Sequence, residues 1–395
     1  MSSQSVAFDN TAVAFAPKSD NDLRRSYLLF KVISFNGLVK LFSSLGKAAL
    51  SMHLPVKGLI KATVFRQFCG GESIEECTKT IQTLSKYNVG AILDYSVEGK
   101  EREQDFERTL EQILACIDKA QNNKDIPFSV FKPTGIARLS LLEKINKNEP
   151  LTVEEIKEFK RVRNRYEKIC GRAYEKGIPI FVDAEETWIQ DVIDSLVREM
   201  MMKYNKNRAM IYNTIQLYRT DRIDFLKKTY EDAVANNYFL GLKLVRGAYM
   251  EKERARAMQM GYPSPILPDK AATDRAYDEA LRFCVTHIDR IAICAGAHNE
   301  QSALLLIKLM QENNLPNNHP NIWFSQLYGM SDHISFNLAR AGYNVCKYVP
   351  YGPVETVLPY LIRRAEENTS VKGQTGRELS LIEKELRRRK LKPVS

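Results

Sequence analysis

The segment YNVCKYVPYGPVETVLPYLIRRAEEN, residues 343–368, contains the unit that decides the fold. Its first part, Val345–Val349, is a short run of apolar and aromatic residues, which predicts a buried strand. The Gly352-Pro353 pair predicts a turn, and the residues after it predict a helix. A strand followed by a helix is the repeating unit of parallel-sheet proteins. The segment therefore predicts an α/β fold, provided that the same unit recurs along the chain.

Seven earlier segments have the same character, and each is followed by an amphipathic stretch of helical length. They are Val89–Tyr95, Phe128–Lys132, Ile178–Asp183, Ala209–Leu217, Phe239–Val245, Ile291–Ala295 and Ile322–Leu327. Eight such units between residues 89 and 349 match a (β/α)8 barrel, for which about 250 residues is typical. The competing fold is a doubly wound open sheet, which would carry a G-x-G-x-x-G motif if it bound a dinucleotide, and the sequence has none. We therefore predict an α/β fold of the (β/α)8, TIM-type barrel class.

The rest of the chain predicts additions to this barrel. We expect a flexible tail at residues 1–20, an N-terminal helical arm at 21–86, the barrel at 87–375 and a basic C-terminal helix or tail at 376–395. The helix after the eighth strand is expected to lie over the barrel mouth. An extra helix is predicted after the second strand, with Thr152 as N-cap and Glu155 three residues on, the spacing of a capping box. The N-terminal arm, with lysines between its apolar residues, either packs on the barrel or offers a basic amphipathic surface to a membrane.

Composition sets broad limits on function. The 395 residues are 44% apolar and carry a formal net charge of +10, which is compatible with nucleic acid, anionic lipid or an anionic cofactor and selects none of them. The seven cysteines include no Cys-x-x-Cys pair, so we expect a reducing compartment and no structural metal site. No apolar run reaches the roughly 18 residues that a membrane span needs. The N-terminal segment lacks the features of a secretory signal or a mitochondrial presequence, so we expect a cytoplasmic location.

Polar side chains recur at the carboxyl ends of the predicted strands, where the active sites of such barrels are found. They are Asp94, Lys132, Asp183, Gln216, Lys243, Arg246, His298, Asn299, Gln326 and Tyr348, with Glu98 just beyond the first strand. A single aspartate at such a position is more often a helix N-cap than a catalytic acid, so the signal lies in their convergence. The helix after the eighth strand adds Arg363, Arg364 and Glu367. An arbitrary pair of arginines is usually exposed, but two guanidinium groups facing a cavity can hold a carboxylate from two sides.

The charges of these groups predict a net positive cavity. Such a cavity suits an anionic ligand, for example a phosphate-bearing cofactor together with a carboxylate substrate. Lysines at strand ends, Lys132 and Lys243, would also allow a Schiff-base aldolase. At this level the residues predict a barrel enzyme acting on anions and leave its reaction open.

Longer motifs identify a family. The stretches are LKLVRGAYMEKERARA (242–257), GAHNEQS (296–302), FSQLYGM (324–330), KYVPYGPVETVLPYLIRRAEEN (347–368), FKPTG (131–135), FVDAEET (181–187) and ATVFRQFCGGES (62–73). Together they resemble the proline dehydrogenase family, over roughly residues 60–375. The likeness is closest to the stand-alone animal and mitochondrial type.

The resemblance implies a barrel that holds FAD non-covalently and oxidises L-proline to Δ1-pyrroline-5-carboxylate, passing electrons to a membrane quinone. It therefore implies contact with the inner face of a respiratory membrane. It places substrate-binding and catalytic roles on Lys132, Asp183, Tyr348, Arg363, Arg364 and Glu98. It places cofactor contacts on Gln216, Lys243, Arg246, Gly247, Tyr249, Ala297, His298, Asn299, Gln326 and Glu367. The sequence predicts no oligomeric state.

Three alternatives stay open. Hydroxyproline dehydrogenase shares nearly every motif. Tyr348 favours proline as the substrate, because a tyrosine at this position crowds C4 of the proline ring, whereas the hydroxyproline relatives carry a small residue at this position. A Schiff-base lyase of the same fold would use Lys243. A nucleic-acid-binding protein would be expected to interleave aromatic residues with the basic tail, and residues 382–395 contain none.

Overall fold

The structure is a computed structural model. This structure describes residues 6–34, 57–96, 101–370 and 374–391, without the side chains of 365–370 and 374–375. The chain divides into two compact units. Unit 1 comprises Met1–Glu98 and Gln326–Ser395, and unit 2 comprises Gly99–Ser325.

Eight strands form one sheet. They are β1 Val89–Tyr95, β2 Ser129–Phe131, β3 Ile180–Val182, β4 Ile211–Gln216, β5 Leu240–Val245, β6 Ile291–Gly296, β7 Ile322–Leu327 and β8 Val345–Tyr351. Their order in the sheet is β1-β8-β7-β6-β5-β4-β3-β2, and the paired strands run parallel, as β1 with β8 and β4 with β5 do. This cyclic order is that of a (β/α)8 barrel, so the predicted fold class is confirmed. Each predicted strand is present, with ends displaced by two residues at most.

Helices follow the strands as the sequence predicts. They are α1 Thr11–Ala14, α2 Asp20–Ile33, α3 Lys57–Ile60, α4 Arg66–Phe68, α5 Thr78–Ser85, α6 Glu103–Ala120, α7 Leu139–Asn146, α8 Val153–Lys176, α9 Thr187–Tyr204, α10 Arg222–Ala235, α11 Met250–Met260, α12 Lys270–Thr286, α13 Glu300–Glu312, α14 Asp332–Arg340, α15 Val354–Ser370 and α16 Gln374–Arg388. A π-helical turn, Lys61–Phe65, joins α3 to α4, and a 3-10 turn, Pro133–Gly135, follows β2. Within these described elements, no helix is both long and apolar enough to span a membrane.

Unit 2 has a core of buried strands and aromatic rings. Strands β3 and β4 are buried throughout, as expected for parallel strands covered on both faces. The ring of Phe128 stacks on Phe181 with centroids 4.5 Å apart and meets Trp323 edge-on at 5.1 Å. The extra helix predicted after the second strand is α8, and its capping box is confirmed by the reciprocal hydrogen bonds of Thr152 and Glu155.

In unit 1, residues 6–20 pack against the C-terminal helices, whereas the sequence predicted a flexible tail at residues 1–20; residues 1–5 lie outside the described part of the chain. Thr11–Ala14 is helical, and Phe15 is only 1% exposed within an apolar cluster that includes Phe30 and Leu361. The guanidinium of Arg389 donates to the backbone oxygen of Phe15 at 2.9 Å. The segment was misjudged because four helical residues are too few to show a helical period. Much of the predicted arm, residues 35–56, lies outside the described part of the chain.

Candidate functional site

Three charged side chains meet at the carboxyl ends of strands in unit 2. Asp183 follows β3, Lys132 follows β2, and Lys243 lies near the end of β5. The Nζ atom of Lys132 lies 3.2 Å from Oδ2 of Asp183, and Lys243 donates a short hydrogen bond to Oδ1 of the same carboxylate. Lys243 is 5% exposed. The structure therefore brings together three of the residues that the sequence predicted, as a buried group with two cations and one anion.

This arrangement keeps Asp183 ionised. Burial alone would raise the pKa of its carboxyl group, but the charges and hydrogen bonds of Lys243 and Lys132 outweigh burial and place the pKa below its ordinary value. The three side chains together carry two positive charges and one negative charge. Such a group is suited to bind an anion.

Glu185 holds the surrounding backbone, a role that the sequence did not reveal. Its carboxylate accepts hydrogen bonds from both the backbone N–H, at 2.8 Å, and the hydroxyl of Thr134. Its own N–H donates to Oε1 of Gln190, and its carbonyl oxygen accepts from Nε2 of Gln216 at 2.9 Å. Glu185 therefore ties the loop after β2, which carries Lys132, to the end of β4. Only its position two residues after Asp183 hinted at this role.

Arg246 lies after β5 and is held on three sides. Its Nε donates to Oδ1 of Asp274 at 2.7 Å, its Nη2 donates to Oγ of Ser302 at 3.0 Å, and its guanidinium lies 4.4 Å from the ring centre of Tyr277. Burial would raise the pKa of Asp274, but Lys270 and Arg246 lower it overall. Sequence reasoning missed Asp274 because it lies on α12, 28 residues from its partner. These contacts fix the direction of the guanidinium group.

Gly247 must be glycine for two reasons. Its φ is +135°, a backbone conformation that other residues rarely adopt. A Cβ atom at this position would lie 2.5 Å from ring carbons of Tyr218. The glycine thus allows the loop after β5 to pass close to this tyrosine. Tyr249 follows at the N-terminal end of α11.

The loop after β6 contains Ala297, His298 and Asn299. The N–H of Ala297 donates to the carbonyl oxygen of Ser325 at 3.2 Å. Oδ1 of Asn299 accepts from the backbone N–H groups of Gln301 and Ser302, so this side chain caps α13. His298 is partly buried at the same strand end. The cap accounts for Oδ1 of Asn299, and a cofactor contact by this residue stays a prediction.

Two buried polar atoms of unit 2 are suited to hydrogen bonds with a bound cofactor. Oε1 of Gln216 and Nη1 of Arg246 have no hydrogen-bond partner in the described structure. Native proteins leave few buried polar groups unsatisfied, and such groups call for a ligand or water. The flavin ring has an N–H group whose hydrogen bond an amide oxygen can accept. The phosphates of FAD can accept hydrogen bonds from guanidinium groups. These two residues therefore fit FAD as the resemblance expects.

In unit 1, β8 and α15 carry the predicted substrate residues. Tyr348 is buried, and its backbone oxygen accepts from the N–H of Tyr328 at 2.8 Å. Arg364 is 7% exposed, and its guanidinium lies 5.3 Å from the ring centre of Tyr360, while Arg363 is partly buried. Burial of Arg364 differs from the exposure that is usual for an arginine.

The other predicted residues of unit 1 are only partly described. Gln326 is buried, and its Oε1 accepts from the hydroxyl of Ser335 at 2.8 Å. Glu98 and the side chain of Glu367 lie outside the described part of the structure. Their roles stay predictions.

Comparison with known protein families and structures extends this description. Residues 77–377 match the family model described as proline dehydrogenase. The chain is 35% identical over 431 residues to "Proline dehydrogenase 1, mitochondrial" of Dictyostelium discoideum, which covers 96% of this chain and 74% of that protein. It is 32% identical over 413 residues to "Hydroxyproline dehydrogenase" of Xenopus laevis, which covers 95% of this chain and 88% of the relative.

A solved structure has the same fold. Proline utilization A from Bdellovibrio bacteriovorus, inactivated by N-propargylglycine, matches with a TM-score of 0.71 at 20% sequence identity. The match covers 94% of this chain but 40% of that structure, so this chain is similar to one part of proline utilization A.

Proposed function

We propose, because the chain belongs to the proline dehydrogenase family, that it oxidises L-proline to Δ1-pyrroline-5-carboxylate with FAD as its non-covalent cofactor. The observation that carries the proposal is the buried group formed by Lys132, Asp183 and Lys243, with its one excess positive charge. Proline has one carboxylate and one amine. Such a group can attract the carboxylate and can lower the pKa of the amine. The assay is formation of the cyclic imine product, followed with an aromatic amino-aldehyde that gives a coloured adduct.

FAD, when bound, supplies the acceptor for hydride from C5 of proline, and Gln216 and Arg246 are the residues of unit 2 that would hold it. Lys132 attracts the substrate carboxylate. The positive charge of the group also lowers the pKa of a nearby amine and favours the neutral ring nitrogen. That nitrogen must be neutral because its lone pair forms the C=N bond as hydride leaves. Positioning of this kind can supply several kcal/mol of the barrier.

We further propose that no side chain acts as an obligatory base. Asp183 is the obvious candidate, but its lowered pKa makes it a weak base at neutral pH. The substrate amine then loses its proton to solvent before hydride transfer. If Asp183→Asn still binds proline but reduces no flavin at any pH, this proposal is wrong.

Arg363, Arg364 and Tyr348 are proposed to bind substrate, following the resemblance. Burial of Arg364 and its contact with Tyr360 hold the guanidinium in one geometry, and a planar guanidinium can bind a carboxylate through two parallel hydrogen bonds. The ring of Tyr348 would pack on the proline ring and crowd its C4.

Hydroxyproline dehydrogenase is the second candidate, because the Xenopus relative matches nearly the whole chain. Tyr348 favours proline, so kcat/KM should be higher for L-proline than for 4-hydroxyproline, and Tyr348→Ser should narrow the difference. Equal or reversed values in the unmodified protein would favour hydroxyproline. The Schiff-base alternative requires Nζ of Lys243 to attack the substrate, but this atom donates a hydrogen bond to the Asp183 carboxylate. Borohydride should therefore not trap substrate on Lys243.

We propose a membrane quinone as the final electron acceptor and a location at the cytoplasmic surface of a membrane. Support comes from the outer face of α2, where Leu28 and Val32 are 37% and 40% exposed beside Arg25 and Lys31. Such a face suits an anionic lipid surface. Co-sedimentation with anionic but not zwitterionic vesicles, weakened by Val32→Glu, is expected. Equal recovery of the unmodified protein and the Val32→Glu variant in the supernatant would contradict this membrane location.

A further inference from the structure

We propose that Glu378 and Lys347 are positioning residues: they hold the Met330–Ser331 peptide from its two sides and through it fix the side-chain amide of Gln326 for cofactor binding. The inference rests on the proposed function, because the resemblance gives Gln326 its cofactor contact. All of these residues belong to unit 1.

The Met330–Ser331 peptide is bound at both of its polar atoms. Nζ of Lys347 donates to the carbonyl oxygen of Met330 at 2.7 Å. The N–H of Ser331 donates a short hydrogen bond to Oε1 of Glu378. Lys347 is 1% exposed and Glu378 is 3% exposed. Asp332 balances the lysine at 2.8 Å. Two buried side chains, one a hydrogen-bond donor and one an acceptor, therefore fix one peptide plane.

This peptide needs to be held because its backbone is strained. Ser331 has φ of +50° and ψ of 41°, the left-handed region that non-glycine residues avoid. It is also the N-cap of α14, and its own side chain makes no capping hydrogen bond. Glu378, from α16, accepts the Ser331 N–H at this position. The entry into α14 thus depends on a side chain distant in sequence.

The first turn of α14 connects the Met330–Ser331 peptide to Gln326 through two hydrogen bonds. The N–H of Ser335 donates to the carbonyl oxygen of Ser331 at 3.1 Å. The hydroxyl of Ser335 then donates to Oε1 of Gln326 at 2.8 Å. A change in the Met330–Ser331 peptide would therefore move the hydroxyl that orients the amide.

Stability alone does not explain a carboxylate at position 378. Buried ionic groups are often replaced by apolar residues at no cost in stability. The neighbours Leu381 and Ile382 already bury the apolar face of α16. Burial raises the pKa of Glu378, and Nδ1 of His333 lies 3.9 Å from Oε1 of Glu378. The family match ends at residue 377, so Glu378 lies beyond it.

The test measures release of FAD from the purified holoenzyme after dilution, followed by the rise in free flavin fluorescence. Glu378→Ala should release FAD at least about fivefold faster, within the range of coupling between contacting residues. Glu378→Gln keeps an acceptor for Ser331 and should stay within about twofold of the unmodified protein. Glu383→Ala removes a carboxylate from the same helix at a partly exposed position and serves as the matched control.

A double-variant cycle separates positioning from simple packing. Gln326→Ala should also speed release, and adding Glu378→Ala to it should cause no further change, because both act through the same amide. Ser335→Ala, a milder change, should behave like Glu378→Ala and keeps the test valid if that variant does not fold. Additive effects, or release unchanged in Glu378→Ala, would overturn the inference.

Failure of the proposed function would look different. A protein that retains FAD but does not oxidise L-proline would contradict the proposed function and leave the release experiment intact. A protein that oxidises L-proline but shows unchanged release in Glu378→Ala and Ser335→Ala would contradict only this inference. A protein that binds no FAD would overturn both.

Discussion

Replacing Asp183 with asparagine should cost several kcal/mol of folding free energy, because it removes the carboxylate that contacts both Lys132 and Lys243. At an effective dielectric of about 20, one such pair at 3.2 Å has a Coulomb attraction of roughly 5 kcal/mol. Removing one partner of a buried pair typically costs about 3–5 kcal/mol. We expect a loss of about 3–5 kcal/mol at pH 7.

The pH dependence of this loss has a defined sign. The folded-state pKa of Asp183 is lowered, so its contribution is present above the unfolded value of about 3.9 and is lost as pH falls through the folded pKa. The difference between the two proteins should therefore be largest above about pH 5 and should shrink as pH falls towards pH 3.

Guanidinium chloride unfolding from pH 3 to pH 9, at equal cofactor occupancy, measures this difference. Asp191→Asn, an exposed aspartate of α9 in the same unit, is the matched control and should change stability by less than about 0.5 kcal/mol. A loss below about 1 kcal/mol at pH 7, or one that does not vary with pH, would refute the view that Asp183 neutralises a buried pair of cations.

Three further predictions address other parts of the structure. Gly247→Ala should lower the free energy of unfolding by at least about 2 kcal/mol, because of the contact with Tyr218 and the unfavourable φ. Gly376→Ala, on the exposed face of α16, should raise the free energy of unfolding by roughly 0.5–1 kcal/mol. Equal shifts of the melting temperature in the two variants would contradict this. Arg364→Lys should raise KM for L-proline by roughly tenfold or more, since a charged hydrogen bond contributes about 1.5–3 kcal/mol, with FAD binding little changed; an unaltered KM would remove Arg364 from the carboxylate site. Glu253 is a buried residue of α11, and burial raises its pKa. Its contribution to stability is therefore present below about pH 4.3 and is lost as pH rises through the folded pKa. The unfolding free energy of Glu253→Gln, relative to that of the unmodified protein, should rise from pH 4 to pH 7 by roughly 1.4 kcal/mol for each unit of the shift; a constant difference would contradict this.

The strands were predictable because each is a local pattern. Parallel strands covered on both faces appear as short apolar runs, and Leu240–Val245 is one of them. The polar residues at their ends were predictable for the same reason, since a parallel sheet places all carboxyl ends on one edge. Lys132, Asp183 and Lys243 are therefore brought together as expected.

The partners of these residues were not predictable, because they come from distant positions. Glu185 binds Thr134 across 51 residues, and Glu378 binds Ser331 across 47. No local period records such pairs. The packing of Phe15 was missed for a related reason, because its neighbours lie at the other end of the chain.

The visible spectrum of the purified protein tests the central claim most directly. The account predicts flavin absorption bands that are bleached when L-proline is added without oxygen, and bleaching that is slower or absent with 4-hydroxyproline. A colourless protein that stays inactive after FAD is added, or flavin bands that L-proline leaves unchanged, would contradict it.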